Sequence, residues 1–210
     1  MCGRFAQGEF PASIRKMIKE ILDDVEANHN IAPTETAAVI TREPEKEISM
    51  TRMSWGFQPQ WKSASGAAAP LLINARADGV AVKPAFRDAY RRRRCLLPAT
   101  GFYEWRRDGA KKTPFYFSPT DEENPLMMGG LWEERNNRRA FLIITTDANG
   151  LMKPVHNRMP VIIRPENWLD WLDPRQDDFR LLNQLHHPVP DDYLRCRQVS
   201  PLVNNPRNKA

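Results

Sequence analysis

The chain opens Met1-Cys2-Gly3-Arg4-Phe5, which places a thiol directly after the first methionine. A small second residue permits removal of Met1. Cys2 would then carry a free α-amine beside its thiol, and the two titrate near ~8 and ~8.5, so both are partly reactive at neutral pH. With an aldehyde, such a 1,2-aminothiol forms a Schiff base, and the thiolate then closes a five-membered thiazolidine. An amine and a thiol on separate residues would not be pre-positioned for that closure. On this stretch alone the plainer reading, a cysteine that merely follows the first residue, is favoured, and residues downstream shift the balance.

Three polar residues stand where a core-building sequence would not choose them. Glu104 lies in Gly101-Phe102-Tyr103-Glu104-Trp105, where strand alternation puts Phe102 and Glu104 on one face and Tyr103 and Trp105 on the other. The pattern leaves two readings open: a carboxylate among aromatics, suited to proton transfer, or an edge-strand glutamate in water. His156, in Pro154-Val155-His156-Asn157-Arg158, precedes a strand, where it is either structural or a proton-transfer group. Asn74 ends an apolar run, where its amide either orients a substrate or caps the strand.

Arg4, Arg76 and Arg158 each lie two residues from one of these groups, namely Cys2, Asn74 and His156. A guanidinium beside a reactive centre is a natural phosphate clamp. Trp61, on a small-residue loop, and Trp105 offer faces for stacking, so single-stranded nucleic acid is the favoured ligand class. The run Arg91–Arg94 reads instead as a solvated helix end. Cys95 lies in an apolar strand and is expected to be inert, while Cys196, flanked by Arg195 and Arg197, is open to activation. The cysteines and histidines show no metal-ligand spacing, so no metal or other cofactor is expected.

The elements that must position these groups follow from composition and pattern. A chain of 210 residues with 41% hydrophobic content and six Trp is expected to fold as one domain over 1–210 with a polar tail from about 204. Its net charge of +5 suits an anionic partner. Three cysteines without a CxxC pair exclude a disulfide framework, and no apolar run reaches membrane-spanning length; a cytoplasmic protein without membrane contact is expected. A helix is predicted over 13–28, with Ser13 as its N-cap and Ile14, Ile18, Ile21, Leu22 and Val25 on one face. Strands are predicted at 36–42 and 47–53 as a hairpin, and at 71–76, 95–98, 101–106, 113–117, 126–132, 140–147, 159–164 and 193–199. Short helices are predicted over 84–94 and near Trp168 and Leu181. Strands without alternating long helices indicate an α+β fold around a curved, largely antiparallel, barrel-like sheet flanked by short helices.

Taken together, Met1-Cys2-Gly3-Arg4-Phe5, Asn30-Ile31-Ala32-Pro33, Trp55-Gly56, Ile73-Asn74-Ala75-Arg76, Arg94-Cys95-Leu96-Leu97-Pro98, Gly101-Phe102-Tyr103-Glu104-Trp105 and Thr145-Thr146-Asp147-Ala148-Asn149 followed by His156 resemble the SOS response-associated peptidase (SRAP) family of abasic-site processing proteins. The resemblance runs from Cys2 to about Asn204. It implies an α+β fold with a barrel-like sheet, loss of Met1, and a thiazolidine bond between Cys2 and the ring-opened sugar of an abasic site in single-stranded DNA. By motif it implies Cys2 as nucleophile, with Asn74, Glu104 and His156 completing the active site. Arg4, Arg76 and Arg158 match positions near the DNA backbone, Pro33 and Trp61 match loops that wedge or stack at the lesion, and Asn74 and Trp105 are expected to touch DNA as well. A monomer is expected. The sequence departs from the family pattern at His29, where Tyr is common, at Asp78-Gly79, where Glu-Thr is usual, and at Lys62, where some relatives carry a second aromatic. Two other classes remain: a cysteine peptidase or amidohydrolase with Cys2 as N-terminal nucleophile, acting on other substrates or only on Met1, and a non-covalent single-strand binding module.

Overall fold

Cys95-Leu96-Leu97 and Phe141-Leu142-Ile143-Ile144 are apolar without a period of two, so strands built from them need cover on both faces. The computed structural model supplies that cover twice. It describes residues 2–10, 12–18, 27–59, 69–121 and 124–209, with the backbone alone at 12 and 13.

Among the described residues the strands are β1 (Phe5–Gln7), β2 (Asn28–Ile31), β3 (Thr36–Arg42), β4 (Ile48–Trp55), β5 (Asn74–Arg76) and β6 (Arg94–Ala99). They continue with β7 (Gly101–Asp108), β8 (Lys111–Pro119), β9 (Leu126–Arg135), β10 (Arg138–Asp147), β11 (Arg158–Pro160) and β12 (Leu194–Gln198). Four short helices accompany them: α1 (Ala12–Met17), α2 (Arg87–Arg92), α3 (Trp168–Leu172) and α4 (Phe179–Gln184).

Strands β10, β4, β3, β6 and β9 pair in a ring that closes where β9 meets β10 again, which makes a small barrel without free edges. Val39, Met53, Trp55, Cys95, Leu97, Phe141 and Ile143 fill the inner cluster. Their neighbours Ile40, Leu96, Leu142 and Ile144 point outward and pack under Tyr90 of α2 and Trp168 and Trp171 of α3. A second, wholly antiparallel sheet runs in the order β12-β8-β7-β1-β2. β6 continues into β7 across Thr100, so one stretch of chain serves both sheets. Phe5, Phe102 and Phe117 of the second sheet join the inner cluster, with Phe102 stacked on Phe117 at 5.2 Å and Phe5 edge-on to Trp55 at 5.2 Å. Each such burial contributes about 1.5–3 kcal/mol.

The architecture is the expected α+β barrel, parallel only where β10 meets β4 and β5. The hairpin β3–β4 forms as read. The β9–β10 hairpin turns through Asn136 and Asn137, both left-handed with φ of 50° and 59°, the conformation of a type I′ turn. Three expectations need correction. The helix over 13–28 does not extend as predicted: α1 starts at Ala12, so Ser13 lies inside it, and Asn28–Ile31 is a strand that edges the second sheet beside β1. Ile21, Leu22 and Val25 lie outside the described residues. The strand at 71–76 shortens to Asn74–Arg76, with Leu72 making only a bridge to Phe57. Arg94 is no part of a solvated run: its guanidinium is buried and donates to the carbonyls of Tyr90, Arg91, Trp171, Asp173 and Gln176. No helix among the described residues is long and apolar enough to cross a membrane.

Candidate active site

The end of β10 gathers residues that are far apart in sequence. Ile143 pairs with Asn74 and Thr145 with Arg76 on one side of the strand, while Asp147 pairs with Arg158 on the other. Two segments read separately as reactive motifs are thereby fastened to five consecutive residues. From β5, Asn74 reaches across to the N-terminal segment, where its Nδ2 donates to the Cys2 carbonyl at 3.0 Å. Its Oδ1 is buried and makes no hydrogen bond among the described residues. An orphaned buried acceptor costs about 1–3 kcal/mol, and an amine or hydroxyl arriving there would relieve it.

Cys2 is fully buried, just ahead of β1, and β1 pairs with β7, which carries Glu104. Of the two readings left open for Glu104, the structure selects the buried one: it is 4% exposed, beside Phe102 and opposite Phe115. Burial, and then the nearby Glu104 carboxylate, push the Cys2 thiol well above the ordinary cysteine range, because both disfavour a second negative charge. Cys2, Asn74 and Glu104 thus form one coupled group. His156 ends the turn before β11, half-buried, and its Nδ1 accepts the backbone N–H of Arg158 at 3.0 Å. The same nitrogen lies 3.2 Å from the Arg158 carbonyl, so both backbone groups of Arg158 hold the ring in place.

The three arginines occupy different settings. Arg76 is exposed on β5 and pairs with Asp78 through two bonds of 3.1 and 3.0 Å. Asp78, noted above only as a departure from the family pattern, is therefore the ion-pair partner of Arg76. Arg158 is 8% exposed and spends its guanidinium on Asp147 and the Thr145 carbonyl, which locks β11 to the end of β10. Arg4 donates from one terminal nitrogen to Asn30 Oδ1 at 2.6 Å and to the Val203 carbonyl at 2.8 Å, and lies 5.7 Å from the Trp105 ring. Trp105 itself donates to Asn204 Oδ1 at 2.6 Å. Pro33 is half-buried in the β2–β3 turn, beside Thr34, whose φ of 79° is a strained value for a β-branched residue. Trp61 lies outside the described residues. Sequence reasoning missed Asn30 and Asn204, which hold Arg4 and Trp105, and Glu35 and Lys209, which pair with each other beside Asn30. Asn30 stood within a quoted motif, but the tail residues offered no pattern. Cys95 is buried and burial pushes its thiol up, and burial likewise raises the thiol of Cys196. Among the described residues no cluster of His, Cys, Asp or Glu has the makings of a metal site.

Comparison with known proteins gives a consistent picture. A family profile described as SOS response associated peptidase (SRAP) matches residues 1–206. The abasic site processing protein YoqW of Bacillus subtilis is 35% identical over all of this chain and 97% of its own. YedK of Escherichia coli, with the same descriptive name, is 28% identical over 82% of this chain and 79% of its own. Among solved structures, a phage-related protein from Bordetella bronchiseptica superposes with a TM-score of 0.77 at 27% identity, with 94% of each chain covered. A protein from Bacteroides thetaiotaomicron gives 0.81 at 24% identity over 99% of this chain and 97% of that one.

Proposed function

The chain belongs to the SOS response associated peptidase family, and from that premise we propose that it processes abasic sites in DNA by bonding covalently to them through Cys2 after loss of Met1. The observation that carries the proposal is the junction of Asn74, Cys2 and Glu104: an amide that grips the Cys2 backbone, a buried thiol, and a carboxylate close enough to raise it.

In the chain as written the Cys2 nitrogen is an amide, so removal of Met1 comes first. The freed amine then attacks C1′ of the open-chain sugar. The carbinolamine takes a proton from solvent, loses its hydroxyl as water and leaves an iminium. Sulfur adds to the same carbon, the thiol proton passes to Glu104, and the ring nitrogen ends as a neutral amine. One water leaves in the whole sequence. Because the thiol is held protonated, a base beside it is required at ring closure, and Glu104 has the right position and charge. Run backwards, Glu104 returns the proton and releases the adduct. Asn74 Oδ1 is suited to accept a hydrogen bond from the Cys2 amine or a sugar hydroxyl. His156, in its imidazolium form, serves as the acid that opens the closed sugar. Single-stranded DNA is the substrate form best suited to the exposed Arg76 and to Trp105. The basic balance of the chain favours the encounter.

Cys2 variants test this directly. Cys2→Ala should abolish any heat-stable adduct with an abasic oligonucleotide while leaving single-strand affinity roughly intact. Cys2→Ser should give only an imine that borohydride traps. A heat-stable adduct from Cys2→Ala would sink the assignment. Cleavage of peptides without DNA adduct formation would favour the N-terminal-nucleophile peptidase instead.

A further inference from the structure

The segment after β12 reads as a polar tail, yet it lies across the second sheet from one edge toward the other. The Val199 N–H donates to the Pro114 carbonyl at 3.0 Å and extends the β12–β8 ladder by one bond. A single 3₁₀ turn over Pro201–Asn204 follows, with the Ser200 hydroxyl accepting from Leu202 N. The chain then meets three further strands. Asn204 holds Trp105 of β7, the Val203 carbonyl holds Arg4 at the start of β1, and the carbonyls of Val203, Asn205 and Asn208 surround the side-chain amide of Asn30 on β2 at 3.2, 3.1 and 2.7 Å. Lys209 fastens the far end: its Nζ reaches the Asn30 carbonyl at 2.8 Å and both Glu35 oxygens at 2.7 and 2.6 Å. Glu35 in turn accepts the Ala32 N–H at 2.9 Å and so shapes the turn that carries Pro33 and Thr34.

We propose that residues 200–209 are a positioning strap for the DNA-contacting face, fixing Arg4, Trp105 and the Pro33 turn before DNA arrives. The inference rests on the DNA-processing reading and names residues that act through others. Arginine and tryptophan side chains that must be immobilised on binding reduce affinity, and the strap removes that cost in advance. Its contacts are of the kind that orient. They use the indole N–H of Trp105 and one terminal nitrogen of Arg4, while Arg4 Nε makes no hydrogen bond among the described residues. A segment that merely blocked the face would not need to bond these two side chains individually.

The test compares the intact chain with one ending at Val199 and with Asn204→Ala and Lys209→Ala. Three quantities are read: the rate of adduct formation against concentration of an abasic single-stranded oligonucleotide, the Kd for an undamaged single strand, and thiazolidine formation with free glyoxylate, followed by mass. The truncated chain should need roughly ten-fold more DNA for half-maximal rate and bind the plain strand correspondingly more weakly, with each point variant shifted roughly three-fold. The maximal rate and the glyoxylate reaction should not change. An unchanged half-saturating concentration overturns the proposal, and a lowered one makes the strap a competitor of DNA. If the truncated chain fails to fold, the two point variants decide. If the intact chain forms no adduct with either aldehyde, the covalent reading fails, while the plain-strand Kd still judges the strap.

Discussion

At the scale of single residues, Glu104 sits beside the Cys2 thiol, and Arg76 and Arg158, alike in the sequence, are separated by burial. Glu104 raises the Cys2 thiol by its negative charge, so Glu104→Gln should lower the thiol pKa toward the ordinary range, although burial, the larger cause, remains. The same change removes the proton acceptor, and general base assistance is typically worth ~10²–10⁴ in rate. The variant should therefore alkylate more readily at Cys2 at pH 8, read by peptide mass, yet crosslink and reverse more slowly. Parallel changes in both readouts would refute the base role. Among the arginines, Arg76 is exposed and paired only with Asp78, an arrangement worth little in water. Arg76→Ala should weaken single-strand binding and reduce the slope of log K against log salt by about 0.7, with Tm unchanged. Arg158, buried against Asp147 and the Thr145 carbonyl, should behave differently. Its loss should lower stability by about 1.5–3 kcal/mol, as expected for charge-assisted bonds, and a denaturant titration reads it. Equal Tm for both variants would contradict the distinction.

At the scale of elements, the reactive strands were legible and the framing ones were not. Gly101–Trp105 and the apolar run at 141–144 carry enough pattern to place Glu104 and β10, because aromatic and aliphatic strands declare themselves locally. What sequence could not show was that β5, β10 and β11 lie side by side, since that pairing is non-local. The helix predicted over 13–28 overreached because Asn28–Ile31 takes its conformation from β1, not from its own periodicity. The arginine run misled in the same way: Arg94 shares a chain neighbourhood with exposed Arg91 and Arg92 but is turned inward to bind carbonyls at the end of α3. The joint between α2 and the end of α4 offers a further test. Tyr90 OH lies 3.1 Å from His186 Nε2, and burial, with a smaller effect of His187, lowers His186 to about 4. The folded chain keeps this ring neutral while the unfolded chain protonates near 6.5. Stability is therefore full above that pH and lost as pH falls toward 4, by on the order of 3 kcal/mol. His186→Gln should flatten that window in chemical denaturation series. A slope unchanged from the parent would show that other groups dominate.

At the scale of the whole molecule, a closed barrel and a second sheet share one inner cluster, and residues 4 and 203 meet on the second sheet. The Val203 carbonyl accepts from Arg4, and β6 runs into β7 across Thr100, passing from the barrel to the second sheet. Cys2 is in this way seated among groups drawn from β5 and β7, where the proposed aminothiol chemistry would take place. The central claim is that Cys2, freed of Met1, becomes covalently joined to an abasic site. Intact mass of the purified chain, before and after incubation with an abasic single-stranded oligonucleotide, tests it most directly. The account predicts a starting mass lacking one methionine and, after incubation, a species equal to protein plus oligonucleotide minus one water, with the bond mapped to residue 2. A chain that has lost Met1 yet keeps its starting mass in the presence of the lesion would contradict it.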